Sequence, residues 1–336
     1  MQKCFWLMLL GLSPASFAAI QGVHVAHEDW EMACDNTGTC RAIGYQTEQQ
    51  PSVALLLQRE AGAHAAVTAL VQVLAHEAPA SAQLRLDGDD IATLKFEANK
   101  AKLDAKSTAY LLEHMQSSSN IELIAEAMQW TISMQGMKII LQSMDDFQAR
   151  EGTKSAWVNT GRKSTRQLLQ PEAMPHYVIR DYRRGTAVHY ALNSVPAKNL
   201  QHKFRALVTA QDCPMLWHAP SHAQGRVSIY PLNRQHFLVQ SPCWRSAYNE
   251  GYGMWVVSND LRSVRQTVTT SATSFSEGHI FSHQKGRGVG DCGLAQEWIW
   301  LGQRFVRSYV AQNSQCKGFI GGAWPLPTFI SQVSSQ

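Results

Sequence analysis

The segment Trp30-Glu31-Met32-Ala33-Cys34-Asp35-Asn36-Thr37-Gly38-Thr39-Cys40-Arg41 has the pattern of a β-hairpin. Its two cysteines occupy mirror positions about Asp-Asn-Thr-Gly, whose residues tolerate the tight and left-handed backbone conformations of a hairpin loop. Folding the chain about Thr37 brings the two sulfur atoms together. Because a disulfide there persists only where no thiol pool reduces it, the hairpin predicts an exported protein.

Residues 1–19 have the composition of a secretory signal peptide. Lys3 gives a positive start, residues 4–12 are apolar, and Ser16-Phe17-Ala18 offers a small-x-small pattern, so we expect cleavage after Ala18 or Ala19. The apolar run is too short to span a bilayer as a retained helix, and no later stretch approaches about 18 consecutive apolar residues. We expect no transmembrane segment in the mature chain. The expected location is a Gram-negative periplasm, with secretion as the alternative.

The remaining cysteines indicate a disulfide framework. Cys4, one of seven cysteines, leaves with the signal peptide, and an even number remains in an exported chain. Hairpin patterns favour pairing between neighbours along the chain. The three predicted bridges are Cys34–Cys40, Cys213–Cys243 and Cys292–Cys316. No Cys-x-x-Cys occurs and no histidine follows a cysteine at ligand spacing, so no metal site is expected.

Composition and length are typical of globular domains. The 336-residue chain is 45% hydrophobic and carries a formal net charge of +4. Its length predicts two domains, and the absence of a basic block argues against a nucleic-acid partner. We divide the chain into a signal peptide at 1–19, an N-terminal α+β domain at 20–160, a linker or crossing segment at 161–198, and a C-terminal β-rich domain at 199–336.

The N-terminal domain is predicted to contain strands and two helices. Apolar residues 53–58 fit a buried strand, and residues 83–86 alternate before the turn signal Asp87-Gly88. A helix is predicted at 121–132, because residues 119–122 match a capping box and apolar residues recur at helical spacing. Those apolar residues are Ile121, Ile124, Met128 and Ile132. A second helix is predicted at 137–149.

The second predicted helix carries two adjacent carboxylates, Asp145 and Asp146. Adjacent helical residues point about 100° apart, so the two are not expected to act as an acid/base couple. Asp146 is instead spaced to pair with Arg150 four residues later.

The C-terminal domain is predicted to open with a helix at 199–209 and to continue as short strands. The strands are predicted at 226–230, 236–240, 253–257, 263–269, 278–282, 297–301 and 304–310. Strands at intervals of about ten residues are typical of an antiparallel meander, either a sandwich or a curved sheet. The predicted fold class is therefore α+β and β-rich.

The glycine-rich loop at 286–293, Gly-Arg-Gly-Val-Gly-Asp-Cys-Gly, is one candidate site. Glycines let backbone amides approach a phosphate, and Arg287 would add positive charge. A dinucleotide loop, however, follows a buried strand and opens a helix, whereas polar residues precede this loop and a strand follows it. The alternative is a structural turn that Cys292 anchors and in which Asp291 bonds local amides.

Aromatic residues give a second candidate site. Trp298 and Trp300 alternate in a predicted strand and share a face, and Trp244, Tyr248 and Trp255 could join them. Such a shelf could stack on sugars or aromatic ligands, and the alternative is packing in the core. The candidate ligand-binding residues from both sites are Arg287, Asp291, Trp298, Trp300, Tyr248 and Asn249.

Several motifs follow one another along nearly the whole mature chain. They are Trp30 with Cys34-Asp35-Asn36-Thr37 and Cys40-Arg41, Met144-Asp145-Asp146-Phe147-Gln148-Ala149-Arg150-Glu151-Gly152-Thr153, Cys243-Trp244-Arg245-Ser246-Ala247-Tyr248-Asn249, and Gly286-Arg287-Gly288-Val289-Gly290-Asp291-Cys292-Gly293 with Trp298-Ile299-Trp300-Leu301-Gly302 and Cys316. Together they resemble the bacterial domain of unknown function 1176 family. Ser246 departs from the glycine of the family's Cys-Trp-x-Gly-Ala-Tyr-Asn run. The resemblance implies an exported protein of unassigned activity and carries over no catalytic residue.

Two functional hypotheses follow from these patterns. The first is a non-catalytic periplasmic module that binds an envelope ligand or protein through its β-rich half. The second is an envelope-acting hydrolase whose site combines distant residues such as Asp291 and a histidine. The chain has no Gly-x-Ser-x-Gly motif, no P-loop and no cysteine left over as a nucleophile, and no cofactor is expected.

Overall fold

The computed structural model describes residues 19–76, 79–126, 128–218 and 225–335. Within them antiparallel sheets dominate, accompanied by three α-helices, and the predicted β-rich α+β class is confirmed. The signal peptide predicted at 1–19 lies outside the described residues, apart from residue 19. In the described part of the chain, no helix has both the length and the apolar character that crossing a bilayer requires.

The N-terminal half forms two antiparallel sheets. Its strands are β1 (Val23–His27), β2 (Trp30–Cys34), β3 (Cys40–Tyr45), β4 (Val53–Arg59), β5 (Val67–Val73), β6 (Ser81–Leu86), β7 (Asp89–Lys95), β8 (Lys100–Lys102), β9 (Ile121–Ala125) and β10 (Met128–Ile132). Sheet 1 has the order β1-β2-β3-β4-β5-β8, and sheet 2 has the order β10-β9-β6-β7. The strands predicted at 53–58 and 83–86 are confirmed as β4 and β6. Left-handed conformations at Asp87 and Gly88 form the predicted turn between β6 and β7.

The β2–β3 hairpin is closed by its disulfide. Cys34 lies directly opposite Cys40 in the register and is bonded to it. The carboxylate of Asp35 holds the loop, because its Oδ1 accepts hydrogen bonds from the backbone N and the hydroxyl of Thr37 at 2.9 and 2.6 Å. Gly38 has a φ of +87°, which side-chain-bearing residues rarely adopt. The loop sequence therefore specifies the hairpin that the disulfide locks.

The prediction of a helix at 121–132 is wrong, because residues in this range form the antiparallel strands β9 and β10. Every second side chain of β9 is buried, which is the period of a strand and not of a helix. Ser119 does not cap a helix, since its amide donates to the carboxylate of Asp87 at 3.0 Å. Pairing of β9 with β6 places the strand inside sheet 2 and overrides the local helical spacing.

Two helices pack against the N-terminal sheets, α1 (Ala105–His114) and α2 (Met137–Phe147). The helix predicted at 137–149 is confirmed as α2. The sequence pattern does not predict α1, because two of the three side chains that α1 buries are the polar Ser107 and Thr108. Its start is set by Asp104, whose carboxylate accepts a hydrogen bond from the backbone N of Ser107 at 2.7 Å.

Helix α2 carries a carboxylate into the core. Oδ1 of Asp145 accepts a hydrogen bond from Nη2 of Arg59 at 2.7 Å, and Oδ2 accepts one from the backbone N of Trp157 at 2.6 Å. The Arg59 guanidinium lies 4.0 Å from the centroid of the Trp157 ring, and burial lowers the pKa of Arg59 to about 10. The predicted pair between Asp146 and Arg150 is wrong, because Arg150 donates to other partners around this buried cluster.

The C-terminal half contains two five-stranded meanders. Its strands are β11 (His176–Ile179), β12 (Val188–Ala191), β13 (Arg226–Pro231), β14 (His236–Arg245), β15 (Glu250–Ser258), β16 (Val264–Ala272), β17 (Ser274–Ser276), β18 (His279–Lys285), β19 (Gly293–Trp300), β20 (Phe305–Asn313), β21 (Pro327–Phe329) and β22 (Gln332–Ser335). Sheet 3 has the order β12 to β16 and sheet 4 the order β17 to β21, while β11 and β22 form a parallel pair. All seven strands predicted in this half are confirmed.

The helix that leads this half, α3 (Val195–Arg205), begins and ends four residues earlier than predicted. Ser194 caps it by accepting a hydrogen bond from the backbone N of Ala197, and Pro196 occupies the first turn. Phe204 of α3 stacks on Trp255 of β15 with ring centroids 4.1 Å apart. The helix therefore covers one face of sheet 3.

Sheets 3 and 4 pack face to face as a sandwich. Their shared core contains Leu232, Leu238, Met254, Val256 and Ala272 together with Ile280, Trp298, Trp300 and Phe305. Because sheet 4 uses one face for this core, the alternating side chains of its other face point away from sheet 3. The bridge Cys213–Cys243 ties the 3₁₀-helix at Pro214–Leu216 to β14.

The chain ends by returning to the N-terminal half. Residues 313–331, here called the return segment, place Phe319 and Leu326 against Ile43 and Leu56 on one face of sheet 1. Within the crossing segment predicted at 161–198, β12 joins sheet 3 and β11 pairs with β22. The return segment therefore packs the two halves against each other, and the domain boundaries stay a prediction.

The buried Arg59–Asp145 pair gives a test of the core. We expect Asp145→Asn to lower the free energy of unfolding by about 3 kcal/mol, because it leaves a guanidinium charge buried without its counter-ion. The exposed pair Arg85–Asp90 offers a matched control, and Asp90→Asn should cost less than about 1 kcal/mol. Urea unfolding followed by circular dichroism measures both. Equal losses for the two variants would contradict the assignment.

Candidate functional site

A cleft opens between the outward face of sheet 4 and the loops at its end. Its volume is about 250 Å³, and its wall includes Lys285, Gly290, Cys292, Tyr309 and Pro325. The bridge Cys292–Cys316 lies at its edge and ties the start of β19 to the return segment. We call it the sheet 4 cleft. The position of this cleft depends on the strand order of sheet 4 and on the packing of the return segment against sheet 1.

The strand register places side chains in rows across the outward face. His283, Ala295 and Ala311 form one row, and Phe281, Glu297 and Tyr309 form the next. Alanines in the first row leave a depression beside the bulkier second row, because cross-strand neighbours lie side by side on one face of a sheet. The cleft is therefore built by the outward residues of β18, β19 and β20.

Ring stacking and one hydrogen bond to a neighbouring strand organise β18. His279, Phe281 and His283 lie at alternate positions, and their rings are nearly parallel. Nδ1 of His279 lies 2.5 Å from Oε1 of Glu297 on the neighbouring strand. This contact orients the first ring and fixes the carboxylate beside the row of rings.

Tyr309, which is partly buried, ends the second row. Burial raises the pKa of Tyr309, and the charge of Glu297 raises it further, while the Arg41 guanidinium opposes both effects. Arg41 belongs to β3 in the N-terminal half and pairs with Asp35 at 2.7 Å. The phenol therefore keeps its proton at neutral pH and can donate a hydrogen bond.

The predicted loop at 286–293 is held by its own side chains. Nε of Arg287 donates to Asp291 Oδ1 at 2.7 Å, and Nη2 donates to the other carboxylate oxygen. Asp291 also accepts from the backbone N of Gly318 at 2.6 Å, and Arg287 donates to the carbonyl of Cys316 at 3.0 Å. The hydrogen bond from Arg287 is the main cause that lowers the pKa of Asp291. Both charged groups are thus engaged in joining the loop to the return segment.

Two further predicted residues lie beside this loop. The side chain of Asn249 accepts from the backbone N of Lys285 and donates to its carbonyl, both at 2.8 Å. Tyr248 is 62% exposed, and its ring lies against Gly288. Arg287, Asp291, Tyr248 and Asn249 therefore come together at one end of sheet 4.

The predicted tryptophans lie elsewhere. Trp298 and Trp300 belong to β19 but point inward to the core between sheets 3 and 4. Trp255 stacks on the α3 side of sheet 3, and Trp244 packs in the same cluster as Trp255. The five aromatic residues do not share one surface, so they do not form the expected shelf. Four of them pack in two separate cores, and Tyr248 lies in an exposed loop.

The residues that form the cleft face were missed in the sequence. The signal was the alternation His279-x-Phe281-x-His283, which begins in the strand predicted at 278–282 and places three rings on one face. Glu297 and Tyr309 gave no local signal, because only the register of β18, β19 and β20 brings them beside Phe281.

A grouping of Asp291 with the sulfurs of Cys292 and Cys316 has the compactness of a metal site. The two sulfur atoms are bonded to each other, whereas a cysteine ligates metal as a thiolate. This grouping therefore does not hold a metal while the bridge is intact.

Comparisons with known proteins give one family and one curated relative. Residues 24–331 match the family model described as Protein of unknown function (DUF1176). The chain is similar to an uncharacterised protein, YpfG, of Escherichia coli (strain K12), at 23% identity over 352 residues, covering 96% of this chain and 97% of the relative. No solved structure gives a significant match.

The Arg287–Asp291 contact predicts a pH-dependent stability. The folded-state pKa of Asp291 is lowered, so its contribution is fully present above the ordinary carboxyl pKa of about 4 and is lost as pH falls through the lower value. We expect Asp291→Asn to be less stable than the unmodified protein at pH 7, with the difference shrinking below pH 4. Urea unfolding at pH 7, 4 and 2.5 measures it. A difference that stays constant with pH would refute the role of the carboxylate charge.

Proposed function

The chain belongs to the DUF1176 family of proteins of unknown function, and from that premise we propose that it is an exported, non-catalytic module that binds an envelope ligand in the sheet 4 cleft. Its proposed location is a Gram-negative periplasm. The ligand is held on the outward face of β18, β19 and β20, with the loop at 286–293 forming one edge.

Three disulfides support the proposed export. The bridges Cys34–Cys40, Cys213–Cys243 and Cys292–Cys316 are the pairs expected from the sequence. Structural disulfides persist in oxidising compartments and are rare in the cytosol of mesophiles. The pattern of residues 1–19 agrees with this location, because it matches a cleaved signal peptide.

The observation that carries the binding proposal is the composition of the outward face of sheet 4. The other face of this sheet packs in the sandwich core, whereas the outward face carries partly exposed rings, a carboxylate and a phenol beside an open cleft. Concave sites with an apolar floor and a few placed polar groups are typical of ligand binding. Arg287 and Asp291 are paired with each other, which favours a structural role at the rim of the cleft over a catalytic role.

One observation favours the hydrolase as a second candidate. His279 and Glu297 form a close pair on the same face, and such a pair is the chemical unit of general acid–base catalysis. Asp291, the carboxylate expected from the sequence, accepts hydrogen bonds from Arg287 and Gly318 and is therefore engaged in structure. A hydrolase would depend on Glu297 and not on Asp291.

Export predicts that protein recovered from the periplasm contains no free thiols. Denaturation without reductant followed by thiol titration should give no reactive sulfhydryl, and prior reduction should release all six bridge cysteines. The reduced sample is the control for complete labelling. Six reactive thiols without reduction would contradict both the bridges and the location.

Photo-crosslinking tests the proposed ligand site. A benzophenone amino acid replaces the exposed His283 at the cleft, and the matched control carries it at Val188, which is 50% exposed on the edge strand β12. Irradiation of periplasm should join an envelope component to the His283 variant and not to the Val188 variant.

Two results would contradict the binding module. Equal crosslinking at both positions would show that the cleft does not bind an envelope component selectively. Release of cleaved envelope material by the purified protein, abolished in Glu297→Gln, would show catalysis instead of binding alone.

A further inference from the structure

We propose that the sheet 4 cleft binds an acidic glycan, a chain of sugar units that bears carboxylate or phosphate groups. This inference rests on the proposed function, because it takes the same cleft and names the chemical class of its ligand. It is carried by three features of the outward face: a row of stacked rings, a small-residue floor beside polar groups, and a lysine available to an anion.

The row of rings provides apolar contact of limited width. The ring centroids of His279 and Phe281 are 5.7 Å apart with planes inclined by 4°, and those of Phe281 and His283 are 6.4 Å apart with planes inclined by 16°. This spacing is near the repeat of alternate strand residues, so the rings follow the strand direction. Sugar rings present C–H groups that pack on aromatic surfaces, and an extended glycan can follow such a row.

The floor of the cleft leaves space for a ring-shaped ligand. Ala295 and Ala311 are cross-strand neighbours of His283, and Gly293 occupies the next row toward Lys285. These small residues line the cleft together with Tyr309 and the loop residues Gly290 and Pro325. A ligand unit seated there contacts the apolar floor with one face and keeps its edges free.

Polar side chains lie beside the floor of the cleft, where they can contact the hydroxyl groups of a bound sugar ring. Glu297 and Tyr309 are cross-strand neighbours in the row beside the floor, and Tyr309 has a protonated hydroxyl. A carboxylate accepts hydrogen bonds, while a phenol both donates and accepts them. Sugar hydroxyls likewise donate and accept, so this mixture of groups fits a glycan better than a purely apolar ligand.

The charge of the site favours an acidic glycan. Lys285 is exposed, its aliphatic stem lies beside Gly290, and no carboxylate of the described residues lies within 4 Å of its amino group. Arg287, the other nearby cation, is already paired with Asp291. Lys285 is therefore the cation that can meet a carboxylate or phosphate of the ligand.

Isothermal titration calorimetry of the purified mature chain tests the proposal. The probes are soluble peptidoglycan fragments, which carry carboxylates, phosphorylated core oligosaccharide of lipopolysaccharide, and neutral malto-oligosaccharides. We expect one acidic probe to bind, and whichever binds identifies the source. Phe281→Ala and Lys285→Gln should each weaken that binding by about tenfold, because each removes one principal contact.

The matched control lies in the N-terminal half. Tyr110 and His114 of α1 form an exposed aromatic–histidine stack with centroids 4.1 Å apart. Tyr110→Ala removes a comparable aromatic ring from the N-terminal half, outside the cleft, and should leave the affinity for glycans unchanged. Circular dichroism verifies folding, and if Phe281→Ala does not fold, the exposed Lys285→Gln variant still decides the result.

The outcomes separate this inference from the proposed function. Neutral probes that bind as tightly as acidic ones would overturn the acidic assignment. Absence of binding to every glycan, with capture of an envelope component at His283 by photo-crosslinking, would overturn the glycan class and leave the binding module intact. Absence of both would overturn the two proposals together.

Discussion

The buried carboxylate of Glu31 joins the two halves of this protein. Its Oε2 accepts hydrogen bonds from the backbone N and the hydroxyl of Ser314 at 2.8 and 3.0 Å, and it lies 3.0 Å from Nε2 of His24. Its Oε1 accepts from the hydroxyl of Tyr45 at 3.0 Å. A fully buried carboxylate destabilises the fold unless its oxygen atoms accept hydrogen bonds. Here the return segment supplies some of those hydrogen bonds. The fold of sheet 1 and the path of the C-terminus therefore depend on each other.

This junction also positions the sheet 4 cleft. Ser314 directly follows β20 and precedes Cys316, so fixing it fixes the bridge to Cys292 and the loop at 286–293. Lys317 strengthens the same attachment, because its amino group lies 2.5 Å from a carboxylate oxygen of Asp29 in the N-terminal half. Burial, followed by the charge of Glu31, raises the pKa of Tyr45 well above its ordinary range, so the phenol remains a donor in this network. The end of sheet 4 that borders the cleft is thus attached to the N-terminal half through Ser314 and Lys317.

Much of the fold could be predicted from local patterns. The Cys34–Cys40 hairpin, the strands of the C-terminal meander and α2 each have a signal within a few residues, such as a turn sequence or a regular apolar period. The failure at 121–132 has a physical cause, since Ile121 and Ile124 fit helical spacing, whereas pairing of β9 with β6 places them on a strand that buries every second residue. The loop around Arg287 and Asp291 borders the cleft, whereas the row of His279, Phe281 and His283 was overlooked although the strand predicted at 278–282 contains its first two rings.

The sequence by itself determined the Cys34–Cys40 hairpin, most strands of the two C-terminal meanders, the neighbours that each cysteine bonds, and the family. These follow from contacts between residues close along the chain, where spacing limits the possible partners. Only the tertiary structure decided that Trp298 points inward while Glu297 points outward to meet Tyr309. It alone also decided that Ser314 meets Glu31, because contacts across some 280 residues depend on how whole sheets pack and leave no periodic trace in the sequence.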